Sequence, residues 1–120
     1  MLNFNDYLTS LQNNGKNKYF VIFGAGTIGK LTLEALKIKN IKVDFFCDSD
    51  VRKQNQEIEK IKIISPNDLD DLDKNTNIFI STNYFSSILP MLEKKGFKNL
   101  YKSTELLEIL DIEKFYKKVV

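Results

Sequence analysis

Tyr19-Phe-Val-Ile-Phe-Gly-Ala-Gly-Thr-Ile-Gly29 carries a hydrophobic strand into a glycine-rich turn, and nineteen residues after its last glycine stands Asp48. Each part meets a need of binding a phosphorylated ligand. Gly24 permits the tight turn off the strand. Gly26 removes a side chain so that backbone can approach a diphosphate, and Gly29 lets the next helix pack on the sheet. Asp48 closes a second strand, where a carboxylate can accept hydrogen bonds from ribose hydroxyls. A lone G-x-G-x-x-G triplet is a weak signal. Here strand, turn, helix, second strand and carboxylate all fall at the spacing that the geometry requires.

Outward from this stretch the chain alternates between strand and helix patterns. Phe4, Tyr7, Leu8 and Leu11 have helical spacing, so residues 5–14 read as a short amphipathic helix stopped by Asn14-Gly15. Residues 18–23 are a strand apolar enough to be covered on both faces. Residues 27–39 make a helix with Ile28, Leu31, Leu36 and Ile38 among its buried candidates, ended by Asn40. Residues 41–47 form the second strand. Residues 49–60 are polar without a helical stripe, so a loop or single turn replaces the usual crossover helix. Residues 61–64 are a short third strand, followed by a turn capped by Ser65 with Pro66 in its first position. Residues 77–82 are strand four and 84–95 a helix closed by Gly96. Residues 97–101 are strand five, and Ser103-Thr104-Glu105 opens a last helix with Leu106, Leu107, Leu110 and Phe115 on its apolar side.

This alternation predicts an α/β fold: one Rossmann-like three-layer domain over residues 1–120, with a five-stranded parallel sheet in the order 3-2-1-4-5 and flanking helices. In such a sheet ligands bind beyond the carboxyl ends of the strands, where the strand order reverses. Three segments are predicted to meet there. Gly24, Ala25, Gly26, Thr27, Ile28 and Gly29 offer backbone N–H groups and a helix dipole to a diphosphate. Asp48, Ser49 and Asp50 end strand two. Thr82, Asn83 and Tyr84 end strand four, with an amide for a sugar hydroxyl and a ring to stack or cover. Asp48 also disfavours a 2′-phosphate, which points to NAD rather than NADP. Each residue has a plainer reading beside this one: Asp48 as a turn cap, Tyr84 as a packing aromatic, Arg52 and Lys53 as solvated loop charges, Cys47 as core.

Composition narrows the function classes. A formal charge of +2 over 120 residues gives no reason to expect nucleic acid or a membrane surface as partner. No apolar run is long enough to span a bilayer. The first six residues lack the basic start and apolar stretch of a secretion signal, and one cysteine suits a reducing compartment, so the expected location is the cytoplasm. The sequence has no histidine, and its lone cysteine with scattered carboxylates shows no zinc spacing. No catalytic or metal-binding residue is therefore assigned.

The stretches Ile22–Lys30, Val43–Asp50 and Ile61–Pro66 resemble small Rossmann-like domains of bacterial surface-polysaccharide enzymes. They are similar to the N-terminal nucleotide-sugar-binding domain of sugar O- and N-acyltransferases and to the C-terminal domain of sugar C-methyltransferases. They also resemble the nucleotide-binding segment that starts membrane-bound nucleotide-sugar dehydratases, over about residues 18–101. The acyltransferase likeness implies a UDP-sugar gripped by Gly24, Gly26, Gly29, Asp48 and Asp50. The chain departs from these relatives at Gln54-Asn55, where they tend to place a glycine. It carries neither the hexapeptide repeat of the acyltransferases nor a methyl-donor domain. The redox-sensing repressors that read NADH share a similar core, without their winged helix here.

The expectation is a nucleotide-recognition domain for a nucleotide-sugar (UDP-sugar) or NAD(H), a module or fragment of a polysaccharide-biosynthesis protein. Two other readings stand beside it. One is a non-binding structural or dimerisation module, self-associating through the apolar stripes of the first and last helices. The other is a fragment of an NAD-dependent oxidoreductase.

Overall fold

The computed structural model describes residues 19–105. The helix expected over residues 5–14, and the body of the last helix beyond Glu105, lie outside them. Residues 103–105 do begin a helix. The first strand, β1 (Phe20–Phe23), is buried along nearly its whole length. It leads into α1 (Thr27–Ile38), then β2 (Phe45–Cys47), β3 (Glu57–Ile58) and β4 (Ile61–Ile64). A 3₁₀ turn (Pro66–Asp71), β5 (Asn77–Ile80), α2 (Phe85–Lys94) and β6 (Leu100–Lys102) follow.

Over the described residues the sheet has six strands in the order β3-β4-β2-β1-β5-β6. Five of them are parallel and reproduce the expected 3-2-1-4-5 arrangement. The correction is β3, which pairs antiparallel with β4 and occupies part of the stretch read as a plain loop. Its turn runs through Glu59 and Lys60, both at positive φ (50° and 68°). Such a two-residue hairpin normally advertises itself with Asn-Gly or Asp-Gly. A Glu-Lys pair gives no such signal. The hairpin tip is tied to α1 by an ion pair between Glu59 and Lys37.

Alternation along the strands sorts the core into two faces. Ile22, Phe46, Ile63 and Phe79 pack with Leu33 and Leu36 of α1. Val21, Phe23, Ile78 and Ile80 pack on the other side with Leu69 of the 3₁₀ turn and Leu92 of α2. The result is three layers with β1 at the centre.

The buried face of α1 differs from the expected one. Gly29, Thr32, Leu33, Ala35 and Leu36 are buried, whereas Ile28 and Ile38 are exposed and Leu31 is half-buried. Gly29 sets the phase: it must face the sheet, and its neighbours at i+3, i+4 and i+7 follow it inward. The Thr32 hydroxyl, buried with this face, donates to the Ile28 carbonyl at 2.8 Å.

Helix stops fall where local chemistry places them. Asn40 adopts φ 58° after α1, and the Ile41 N–H returns to the Leu36 carbonyl at 2.9 Å. Gly96 adopts φ 99° after α2, with Phe97 N–H returning to Leu92 at 3.2 Å. Both are left-handed caps that satisfy terminal carbonyls. Ser65 and Asp68 form a reciprocal capping box around Pro66. Among the described residues no helix is long and apolar enough to cross a membrane.

Candidate functional site

Register decides what meets at the sheet's carboxyl edge. Phe23 of β1 aligns with Cys47 of β2 and with Ile80 of β5. The residues that follow these three, Gly24, Asp48 and Ser81, therefore emerge side by side. They line a cavity of about 510 Å³ together with Gly26, Thr27, Ile28, Asp50, Lys53, Thr82, Asn83 and Tyr84, among others. That volume suits a ligand of drug or cofactor size.

The glycine turn is held from both sides. Gly24 N–H donates to the Cys47 carbonyl at 2.7 Å, and Gly24 itself sits at φ 117°. The buried Ser81 hydroxyl lies 3.0 Å from the Phe23 carbonyl and 3.1 Å from that of Gly24, so its proton ties β5 to the turn. Gly29 fits against the same turn: a Cβ built on it would lie 1.9 Å from the Gly24 carbonyl oxygen. Gly26 is different. A Cβ there would meet nothing nearer than the Lys53 ammonium, 3.9 Å away. The absent side chain of Gly26 thus opens backbone to the cavity, while those of Gly24 and Gly29 serve packing.

The start of α1 faces this opening without a lid. Gly26 is its cap residue and offers no side chain, and the first turn holds no acidic residue. The first helical bond is from Lys30 N–H to the Gly26 carbonyl at 3.0 Å. The N–H groups ahead of Lys30 have no partner within the helix and carry the positive end of its dipole.

Asp48 performs two structural tasks at once. Its Oδ2 accepts the Ala25 N–H at 2.9 Å, locking the glycine turn to β2. Its Oδ1 accepts the Asp50 N–H at 2.9 Å, shaping the loop that follows. A carboxylate has about four lone-pair sites, so both oxygens retain capacity for a hydroxyl donor. The plainer reading of Asp48 as a turn cap and the ligand reading are therefore compatible in one geometry.

Of the twelve residues expected at the site, ten line the cavity: Gly24, Gly26, Thr27, Ile28, Asp48, Ser49, Asp50, Thr82, Asn83 and Tyr84. Ala25 and Gly29 lie beneath it, buried, the first with its N–H spent on Asp48 and the second against Gly24. Phe23, Lys53, Ser81 and Ile88 complete the wall. Lys53 is the member that sequence patterning leaves undistinguished from its neighbour. Arg52 is 87 % exposed and turned onto Asp50, with guanidinium contacts of 3.0 and 3.1 Å. This bond holds the Asp50 carboxyl below the ordinary carboxylate range. Lys53 instead turns inward, its ammonium 4.0 Å from Asp48 Oδ2. Lys30 is exposed and outside the cavity wall.

Cys47 lies under the floor, fully buried. Burial, reinforced by the Asp48 carboxylate, pushes its thiol well above the ordinary range. The thiol therefore stays protonated through neutral and mildly alkaline pH, and thiolate is the reactive form. The expected result is no reaction of the native protein with a disulfide reagent such as DTNB, and one equivalent released after denaturation. Rapid labelling of the folded protein would contradict this. Among the described residues no group of three or more Cys, Asp or Glu side chains is arranged to hold a metal ion.

Residues 16–100 match the family model described as C2185-like, N-terminal. The chain belongs to this family. Comparison with curated proteins finds no match. Among solved structures, the fold is similar to a UDP-D-quinovosamine 4-dehydrogenase from Vibrio fischeri, at 23 % identity and a TM-score of 0.55, covering 71 % of this chain and 76 % of that one. It is also similar to RSP, a Rex-family repressor, at 16 % identity and a TM-score of 0.58, covering 95 % of this chain and 68 % of that one. The same repressor in complex with β-NAD⁺ and operator DNA matches at 15 % identity and a TM-score of 0.57, covering 95 % and 66 %. Together these place the C2185-like N-terminal domain among Rossmann-like folds.

Proposed function

We propose that this domain recognises a nucleotide bearing a diphosphate, a UDP-sugar or NAD(H), as the binding module of a sugar-nucleotide or polysaccharide-biosynthesis protein. One observation carries the reading: Gly26, the uncapped start of α1 and the Asp48 carboxylate converge on a single cavity beyond β1, β2 and β5. In this reading the diphosphate lies on the N–H groups from Gly26 into the first turn of α1, and the ribose hydroxyls donate to Asp48. The distal sugar or nicotinamide lies near Thr82, Asn83 and Tyr84. Tyr84 is 73 % exposed at the mouth and Ile28 is exposed beside the turn, giving a ring an apolar face to rest on.

In this reading the ligand is a small molecule rather than a nucleic acid, since a formal charge of only +2 gives no basic surface. Asp48, where the ribose would lie, favours NAD over NADP. Support for the two ligand classes comes from the likeness to a UDP-sugar dehydrogenase and to a repressor solved with β-NAD⁺. In this reading the domain contributes binding and orientation, and the chemistry belongs to other parts of the parent protein.

A thermal-shift panel with NAD, NADH, UDP-GlcNAc, CoA and S-adenosylmethionine tests this. A ligand at 100 times its Kd stabilises by about 2.7 kcal/mol, or roughly 10 °C in Tm for a domain of this size. Stabilisation by NAD(H) or UDP-GlcNAc is the expected outcome. Silence toward both at millimolar concentration would leave a structural or dimerisation module in its place.

A further inference from the structure

We propose that Lys53 is the side-chain ligand of the diphosphate, reaching across the cavity to the phosphate oxygens that the glycine turn holds from below. The inference rests on the nucleotide reading above and adds to it a residue from outside the glycine signature.

The first ground is position. The Lys53 ammonium lies over Gly26, where a methyl group would be 3.9 Å away. Gly26 is the one glycine of the three whose absent side chain faces open space, and Lys53 is what lies on the far side of that space. An anionic oxygen hydrogen-bonds to an ammonium at about 2.7–2.9 Å. An oxygen seated on the turn is thus within reach of Lys53 by side-chain adjustment alone, and the half-exposed side chain is free to make it (43 % exposed).

The second ground is charge. Asp48 and Asp50 both line the cavity, and a diphosphate brings further negative charge to the same place. Asp50 is neutralised from outside by Arg52. Among the described residues Asp48 meets backbone N–H donors and, at 4.0 Å, the Lys53 ammonium. Without Lys53 the wall facing the turn would repel the phosphate that the turn attracts.

The third ground is that the loop is built to aim this residue. Lys53 N–H donates to the Asp50 carbonyl at 3.0 Å, and the Gln54 side chain donates to the Asp48 carbonyl at 2.9 Å. Asn55 then takes φ 65°, a left-handed conformation that asparagine tolerates, and its N–H donates to the Ile63 carbonyl of β4 at 2.9 Å. The loop is thereby anchored at both ends, one on Asp48 and one on the hairpin. This sends Arg52 outward and Lys53 inward.

The test is calorimetric titration of the wild type, Lys53→Gln, Lys53→Arg and Arg52→Gln with UDP-GlcNAc, NAD and inorganic pyrophosphate, and with uridine and adenosine as phosphate-free probes. Lys53→Gln is expected to weaken the diphosphate-bearing ligand that binds, and pyrophosphate, by about tenfold or more. Nucleoside binding should be unaffected, and the salt dependence of the diphosphate ligand should fall. Lys53→Arg should retain most of the affinity, and Arg52→Gln, which reaches the phosphate only by unpairing Asp50, should lose clearly less than Lys53→Gln. An unchanged melting temperature for Lys53→Gln without ligand confirms that the fold is intact. If the wild type binds a nucleotide and Lys53→Gln binds it equally well, this inference is overturned while the nucleotide reading stands. If the wild type binds none of the probes, both fall. Response to UDP-GlcNAc or to NAD alone identifies the source of the diphosphate.

Discussion

Replacing Gly29 with alanine is expected to cost at least about 3 kcal/mol and to lower Tm by roughly 10 °C or more. Local propensity argues the opposite, because alanine in a helix is favoured over glycine by about 1 kcal/mol. The steric term decides. The new Cβ would lie 1.9 Å from the Gly24 carbonyl oxygen and 3.0 Å from its carbon. These are backbone atoms, and they cannot retreat. Gly24 is fixed by its N–H to Cys47 at 2.7 Å and by the Ser81 hydroxyl on its carbonyl, at a φ of 117°. Relief requires α1 to lift from the sheet, which opens the contacts of Leu33 and Leu36 with Ile22, Phe46 and Phe79. Gly26→Ala is the internal control. Its φ of −97° suits any residue and its nearest neighbour is the flexible end of Lys53, so its stability cost should stay within about 1 kcal/mol. Urea denaturation of the two variants checks the contrast. Equal stabilities would mean that turn and helix are not packed as described.

That contrast also explains why some of this architecture could be read in the sequence and some could not. Features encoded by neighbouring residues were legible. The strand runs, the Gly24–Gly26–Gly29 spacing, the Ser65-Pro66 cap, Asn40 and Gly96 each act within a few positions, and the structure has them where local chemistry puts them. What escaped depends on the third dimension. The β3–β4 hairpin turns on Glu59 and Lys60, which hold positive φ without any turn signature of their own. Arg52 and Lys53 are adjacent and identical in charge, and only the loop's anchoring on Asp48 and β4 sends them to opposite sides. Ile28 has the spacing of a core residue, yet the close fit of Gly29 against Gly24 rotates it to the cavity mouth. The site's outline was written in composition and spacing, but the orientation of its side chains was not.

Asp48→Ala is expected to lower stability and ligand affinity together, and separating the two losses tests its double role. Both carboxylate oxygens accept backbone N–H groups, from Ala25 and from Asp50, each at 2.9 Å. Ala25 is buried, so alanine at position 48 leaves its N–H without a partner, at a cost of about 1–3 kcal/mol. The glycine turn then loses its link to β2, and the loop carrying Lys53 loses the Asp50 N–H bond while keeping that of Gln54 to the Asp48 main-chain carbonyl. Affinity for a ribose-bearing nucleotide should drop about tenfold to a hundredfold, the worth of hydrogen bonds to a charged acceptor. Part of that drop would arise from the disordered turn even if no hydroxyl touched Asp48. A double-mutant cycle removes the ambiguity. UDP and ADP are compared with their 2′-deoxy counterparts on the wild type and on Asp48→Ala. If Asp48 receives the ribose, deleting the hydroxyl weakens binding to the wild type and makes little difference to the variant. If the hydroxyl matters equally to both proteins, Asp48 is a latch for the glycine turn and the ribose is held elsewhere.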